Sequence, residues 1–184
     1  MSQKIAVIAI GGNSLVKDKT RQSVQDQYKA VNETCKHIAD MILAGWTVAI
    51  GHGNGPQVGF VLRRSEIAFQ VEGIHEVPLD VCGADTQGAT GYMLQQNLYN
   101  EFLINKIDKK VATIVTQVEV DPNDPAFQHP TKPIGSFMDQ SLAEEKKDKE
   151  GWSIREDAGR GWRRVVPSPL PKRVVEEPAV KKLI

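Results

Sequence analysis

Two short stretches hold the residues best suited to chemistry. One is Gly51-His52-Gly53-Asn54-Gly55-Pro56-Gln57-Val58-Gly59, and the other is Gly11-Gly12-Asn13. In the first, glycines at every second position free the backbone from side-chain sterics, so successive N–H groups can point at one anion. Pro56 fits the first turn of a helix, where its missing N–H is not needed. The positive end of that helix adds to the attraction. Each stretch directly follows an apolar run, Trp46 to Ile50 and Ile5 to Ile10. Two glycine–asparagine loops that each close a buried strand imply one shared anion site at the carboxyl edge of a parallel sheet. The plainer reading is a pair of tight turns.

The elements that must position these loops follow from periodicity. The continuous run Ile5 to Ile10 predicts a strand buried on both faces, as in a parallel sheet. Val24, Tyr28, Val31, Cys35, Ile38 and Ile42 mark one face of a helix over 22–44, stopped by Gly45. Trp46 to Ile50 predicts the second strand, and the strand–helix–strand order implies a right-handed βαβ unit. Val58, Val61, Leu62, Ser65, Ala68 and Phe69 predict a helix over 56–71, ending near Gly73. Both helices are expected to flank the sheet. Leu94, Leu98 and Phe102 lie on one face of a helix after Asp85, whereas Pro78 to Asp85 is turn-rich and gives no clear assignment. Val111 to Val118, rich in β-branched residues, predicts a third strand beside the first two.

The texture then changes. Residues 121–133 hold prolines at 122, 125, 130 and 133, which excludes a regular helix or a central strand. Glu144 to Glu150 is a mixed charge run, most simply a solvated helix face. Arg155 to Arg164 concentrates arginines around Gly159 and Gly161, and prolines keep Val165 to Pro171 extended. The expected organisation is an N-terminal α/β domain over 1–118 carrying the anion loops, a protruding flap with its own strands over 119–164, and a return to the core over 165–184.

Composition narrows the function. The 184 residues suffice for one domain with a proper core, or a little more. Lys plus Arg and Asp plus Glu each number 23, so the formal net charge is zero. That speaks against a general nucleic-acid or membrane-surface binder. Cys35 and Cys82 are far apart in sequence and form no metal-like cluster; Cys35 falls on a helical apolar face and reads as core. The N-terminal apolar run is too short for a signal-peptide core or a membrane span, so the default expectation is a cytoplasmic protein.

Taken together, these residues resemble the amino acid kinase family, and within it the carbamate kinases. The markers are Gly11-Gly12-Asn13, Gly51 to Gly59, Thr116-Gln117-Val118, Pro130-Thr131-Lys132-Pro133-Ile134-Gly135, and Glu156 to Arg163 running into Val165-Val166-Pro167-Ser168-Pro169. The resemblance covers essentially the whole chain. It implies a three-layer α/β/α sandwich around a mainly parallel sheet, a homodimer built on the sheet region, and a role in arginine metabolism. It also implies reversible phosphoryl transfer between ATP and carbamate, giving carbamoyl phosphate and ADP. Many amino acid kinases carry a lysine two residues before the first glycine pair, where this chain has Ala9. Carbamate kinases resemble this sequence in lacking it and use a lysine from the protruding subdomain, which matches Lys132. A cation there offsets the repulsion between two anionic reactants.

The residues themselves suggest further roles. Gly11, Gly12, Gly53 and Asn54 would hold phosphoryl and carbamate oxygens through backbone N–H groups. The amide of Asn13 or Asn54 would either add a donor or cap its own turn. Arg160 and Arg163 would either reach the anion or pin the flap. His52 is a proton shuttle or a structural hydrogen-bonding group; transfer to an already anionic acceptor needs no general base. The family's nucleotide-binding C-terminal half, with ATP or ADP and the Mg²⁺ that accompanies it, has no counterpart here. The sequence therefore reads as a fragment, a truncated product or one part of a split enzyme, with that C-terminal half as its partner. Two alternatives stay open: an isolated anion-binding or dimerisation module without turnover, or a family member acting on an amino acid carboxylate.

Overall fold

A computed structural model describes residues 4–16 and 20–184. The extreme N-terminus and part of the polar loop after Leu15 lie outside the described residues, as does the Asn13 side chain. The chain forms two compact units. The first comprises Met1–Val58, Pro78–Thr116 and Glu176–Ile184; the second comprises Gly59–Val77 and Gln117–Val175.

In the first unit, strand β1 (Lys4–Ile10) pairs in parallel with β2 (Trp46–His52), with Ile10 opposite His52. Helix α1 (Val24–Leu43) connects them. Its start is a reciprocal cap. The Ser23 hydroxyl accepts from the Asp26 N–H at 3.1 Å, and the Ser23 N–H donates to the Asp26 carboxylate at 3.2 Å. Gly45, at φ 88°, lets the chain leave α1 and enter β2. Helix α3 (Leu79–Ile104) packs beside α1. The core joins Ile10, Val31, Cys35, Ile38, Met93, Leu94, Leu98 and Phe102, with Ile8, Val48 and Ile50 against it. Burial pushes the Cys35 thiol up to about 12, with Glu101 adding to the effect. Cys35 thus sits in the core as a neutral thiol that donates to the Leu94 carbonyl at 3.8 Å.

The α/β class and the parallel ladder are as the sequence predicts, and four expectations need correction. Strand β1 is buried on one face only: Ile8 and Ile10 meet the helices, while Ile5 and Val7 are 49% and 79% exposed. Residues 111–117 join no ladder among the described residues, and Val118 opens a strand of the second unit. The backbone of Thr116 is satisfied by a side chain instead. Gln87 accepts from its N–H at 2.8 Å and donates to its carbonyl at 3.1 Å. Helix α2 (Gly55–Glu72) does not lie wholly within an N-terminal domain; through Val58 it belongs to the first unit and from Gly59 onward to the second. Helix α3 begins at Leu79, six residues before Asp85, with Pro78 as its cap.

The second unit is antiparallel. Strand β3 (Val118–Val120) pairs with β7 (Pro171–Val174). Strands β4 (Lys132–Met138), β6 (Trp162–Val166) and β5 (Ser153–Glu156) form a sheet in that order. Pro133 lies on the edge strand β4, where a missing N–H is tolerated. Helix α4 (Gln140–Glu150) carries the charge run on a mostly exposed surface, capped by Asp139 and ended by Gly151 at φ 67°. A short helix α5 (Glu177–Leu183) closes the first unit. Among the described residues no helix is long and apolar enough to cross a membrane.

Candidate anion-binding site

Because β1 and β2 are parallel and in register, both glycine loops leave the sheet at the same edge. The Gly53 N–H donates to the Ile10 carbonyl at 2.7 Å, which extends the pairing one residue past β2. The loops then touch. A Cβ placed on Gly12 would lie 3.0 Å from the Gly55 nitrogen and 3.1 Å from that of Asn54. A Cβ placed on Gly53 would lie 3.1 Å from the Gly12 nitrogen. A side chain at either position would press on the facing backbone, so it is this close approach, not turn geometry, that favours glycine. Asn54 and Gly55 stand at the start of α2, whose first N–H groups have no partner within the helix. The nitrogens of Gly12, Asn54 and Gly55 are thereby gathered at a helix N-terminus, the arrangement that attracts an anion.

The remaining loop residues hold this arrangement. Gly11 accepts from the Ser14 N–H at 2.9 Å, closing the tight 3₁₀ turn Gly12–Leu15. The Asn54 amide turns towards the first turns of α3. It donates to the Thr86 hydroxyl at 2.7 Å, and that hydroxyl donates to the Gly83 carbonyl at 2.8 Å. Asn54 therefore offers the site its backbone N–H and spends its side chain on α3. The Gln57 amide donates to the Gly12 carbonyl at 3.3 Å and to the Gln27 side-chain oxygen at 3.2 Å. Gln57 lies inside the second glycine stretch, yet nothing in its type or spacing marks it as a bridge. The His52 ring lies 3.3 Å from the Gly53 carbonyl and is close to solvent.

Other candidates lie in the second unit and are described there. Lys132 opens β4 opposite Val166 and is exposed. Arg163 donates to the Asp157 carboxylate at 3.1 Å and to the Gly135 carbonyl at 3.2 Å. Arg160 donates to the other oxygen of Asp157 at 2.9 Å. Both guanidinium groups stand over the Phe137 ring, at 5.2 Å for Arg160 and 5.1 Å for Arg163. The turn between them is tight, with Ala158 at φ 52° and Gly159 at φ 71°. Hydrogen bonds from Arg163 first, then Arg160, hold the Asp157 carboxyl below its ordinary value of 3.8. Among the described residues no group of His, Cys, Asp and Glu is placed to hold a metal ion.

Comparison with known proteins adds the decisive observation. No family model matches the chain. Along 99% of its length, however, it is 51% identical to the carbamate kinase-like protein YahI of Escherichia coli, and along 98% it is 50% identical to the carbamate kinase of Thermococcus kodakarensis. The chain is similar to carbamate kinases along nearly its whole length. It spans 58% of the length of each of those two relatives. Its fold is that of solved carbamate kinases. The Giardia lamblia carbamate kinase bound to AMP-PNP superposes with a TM-score of 0.83 at 41% identity, over 99% of this chain and 57% of that one. A protein from Aeropyrum pernix superposes with a TM-score of 0.89 at 35% identity, over 98% of this chain and 57% of that one. The second glycine stretch of this carbamate kinase relative therefore belongs to an amino acid kinase fold, at the carboxyl edge of its parallel strands.

Proposed function

We propose that this chain is the carbamate- and phosphoryl-binding part of a carbamate kinase, the enzyme that moves a phosphoryl group reversibly between ATP and carbamate to give carbamoyl phosphate and ADP. The observation that carries this reading is the meeting of the two glycine loops, with the Gly12, Asn54 and Gly55 nitrogens gathered at the start of α2. Backbone N–H groups of Gly11, Gly12 and Asn54 hold the phosphoryl and carbamate oxygens in this account, with the Asn13 amide as an added donor; Gly53, expected to share that task, instead donates its N–H to the Ile10 carbonyl and holds the loop on the sheet. Preorganised donors of that kind stabilise charge as it develops in the transition state. Lys132 supplies the cation that a lysine at Ala9 would otherwise supply. Arg160 and Arg163 bind the anion only if they leave Asp157 and Phe137; their present contacts support the pinning role.

ATP or ADP, with Mg²⁺ bridging its phosphates, is assigned to the part of the relatives' length that this chain does not span. That part is also its expected partner, and the exposed Ile5 and Val7 offer it an apolar sheet face. A homodimer, a cytoplasmic location and a place in arginine metabolism complete the reading. The same open face favours a second reading, an assembly module that binds anions without turnover. Phosphoryl transfer from carbamoyl phosphate to ADP separates the two. The chain alone should be silent, because transfer needs the nucleotide in line with the acceptor. Adding a relative's C-terminal half should restore ATP formation; persistent silence of a demonstrably assembled pair would leave the assembly module standing.

A further inference from the structure

Gln57 is 7% exposed and lies in the first turn of α2, against two polar groups that need a donor. Its amide nitrogen serves both, the Gly12 carbonyl and the Gln27 side-chain oxygen. Gln27 is itself buried at 5% exposure and donates to the Gln22 carbonyl at 3.3 Å. The orientation of the Gln57 amide is thus fixed, since a flip would set its oxygen against two acceptors. This leaves the Gln57 oxygen buried without a hydrogen-bond partner among the described residues. A buried polar atom left unsatisfied calls for a reason, and here the reason is the carbonyl that Gln57 holds.

Gly12 has no side chain to restrict rotation of its peptide unit. A Cβ on it would lie 3.0 Å from the Gly55 nitrogen and 3.1 Å from that of Asn54, and no hydrogen bond engages either N–H among the described residues. Without the Gln57 amide, only the short 3₁₀ turn Gly12–Leu15 fixes the Gly12 carbonyl, beside donors that it could satisfy itself. It would then occupy the place of an anion oxygen with a negative dipole of its own. We propose that Gln57 is a positioning residue that keeps the Gly12 carbonyl away from the anion donors, so that the first glycine loop presents N–H groups rather than an oxygen. The inference rests on the anion-site reading above and deepens it: affinity for a tetrahedral oxyanion depends on a carboxamide that does not touch the anion.

The test compares Gln57→Met, which keeps the volume and loses the donors, with Gln57→Glu, which sets a carboxylate against the Gly12 carbonyl. Inorganic phosphate is titrated into each 184-residue chain while backbone amide resonances are followed, and the thermal midpoint serves as the check on folding. Phosphate affinity should fall about tenfold or more in the Met variant and further in the Glu variant. Resonances of Gly12, Ser14, Asn54 and Gly55 should move even without phosphate, and those of Leu94 and Leu98 in the core should not. Lost packing alone would not rank Glu below Met. A folded Met variant with wild-type affinity and unmoved loop resonances overturns the role of Gln57. If the wild-type chain binds no phosphate, the anion site fails, and the ligand-free loop resonances still decide whether Gln57 positions Gly12. If Gln57→Met does not fold, Gln57→Glu is read by the same two criteria.

Discussion

Asp157 binds two guanidinium groups at once, and its acidity follows from them. Its folded-state pKa lies below the ordinary 3.8, through hydrogen bonds from Arg163 and then Arg160. The stabilising contribution is therefore present above pH 3.8 and lost as the pH falls through the lower, folded value. Asp157→Asn should flatten the acid limb of unfolding of the β4–β6–β5 sheet, followed by fluorescence of Trp162 in β6; an unchanged acid limb would show that the pair is too solvated to matter. Lys132 belongs to the same sheet and carries a different expectation. In the assembled enzyme Lys132→Ala should lower kcat about 10²- to 10³-fold with KM changed far less, since a cation that acts on the transition state is missed there. Full activity would remove Lys132 from the mechanism. At this scale the sequence exposes residue types but not their partners. The glycines were legible because glycine at a strand end has a stereochemical meaning. The use of the Asn54 side chain on Thr86, and of Gln57 on Gly12, was not, because those partners are 32 and 45 residues away.

Among the elements, α1 and β2 were legible because their apolar periods are undisturbed and Gly45 separates them. Helix α3 was only half legible. It carries Gly83, Gly88 and Gly91 within its span, which weakens any helical signal, and it buries residues around much of its circumference, from Cys82 and Thr86 to Met93, Leu94 and Asn97. The 111–117 segment misled for the opposite reason. Its β-branched residues suit a pleated surface, but β propensity cannot supply a partner strand, and the segment instead lies against α3. Gly91 is where the two meet. Helix propensity alone would make Gly91→Ala stabilising by about 1 kcal/mol. A Cβ there would lie 2.2 Å from the Thr113 Cγ2 atom and 3.1 Å from its hydroxyl oxygen. Overpacking of that kind costs about 1–3 kcal/mol. Gly91→Ala should therefore lower the denaturant midpoint, and the loss should shrink in a Thr113→Ala background, where only the Thr113 Cβ at 3.2 Å remains. A stabilised single variant would show that the segment gives way freely.

At the scale of the molecule, the parallel strands bring two loops, 41 residues apart from Gly12 to Gly53, to one place, and that convergence followed from the sequence alone. The exposure of Ile5 and Val7 did not follow, because an apolar run reads the same whether one or both of its faces are covered. Prolines and charges marked a change of texture over 119–164, but the second unit also takes in residues 59–77 and runs on to Val175, because its pairing of β3 with β7 joins segments 54 residues apart from Glu119 to Arg173 that share no sequence signal. The central claim, that the glycine loops form the phosphoryl site, is tested most directly by titrating carbamoyl phosphate into the ¹⁵N-labelled chain. Saturable shifts should concentrate at the amides of Gly11, Gly12, Asn54 and Gly55, with the α3 core unmoved. Saturable shifts confined to residues away from both loops, such as the small pocket after α3 lined by Lys106, Lys109 and Lys110, or no saturable shift at either loop, would overturn it.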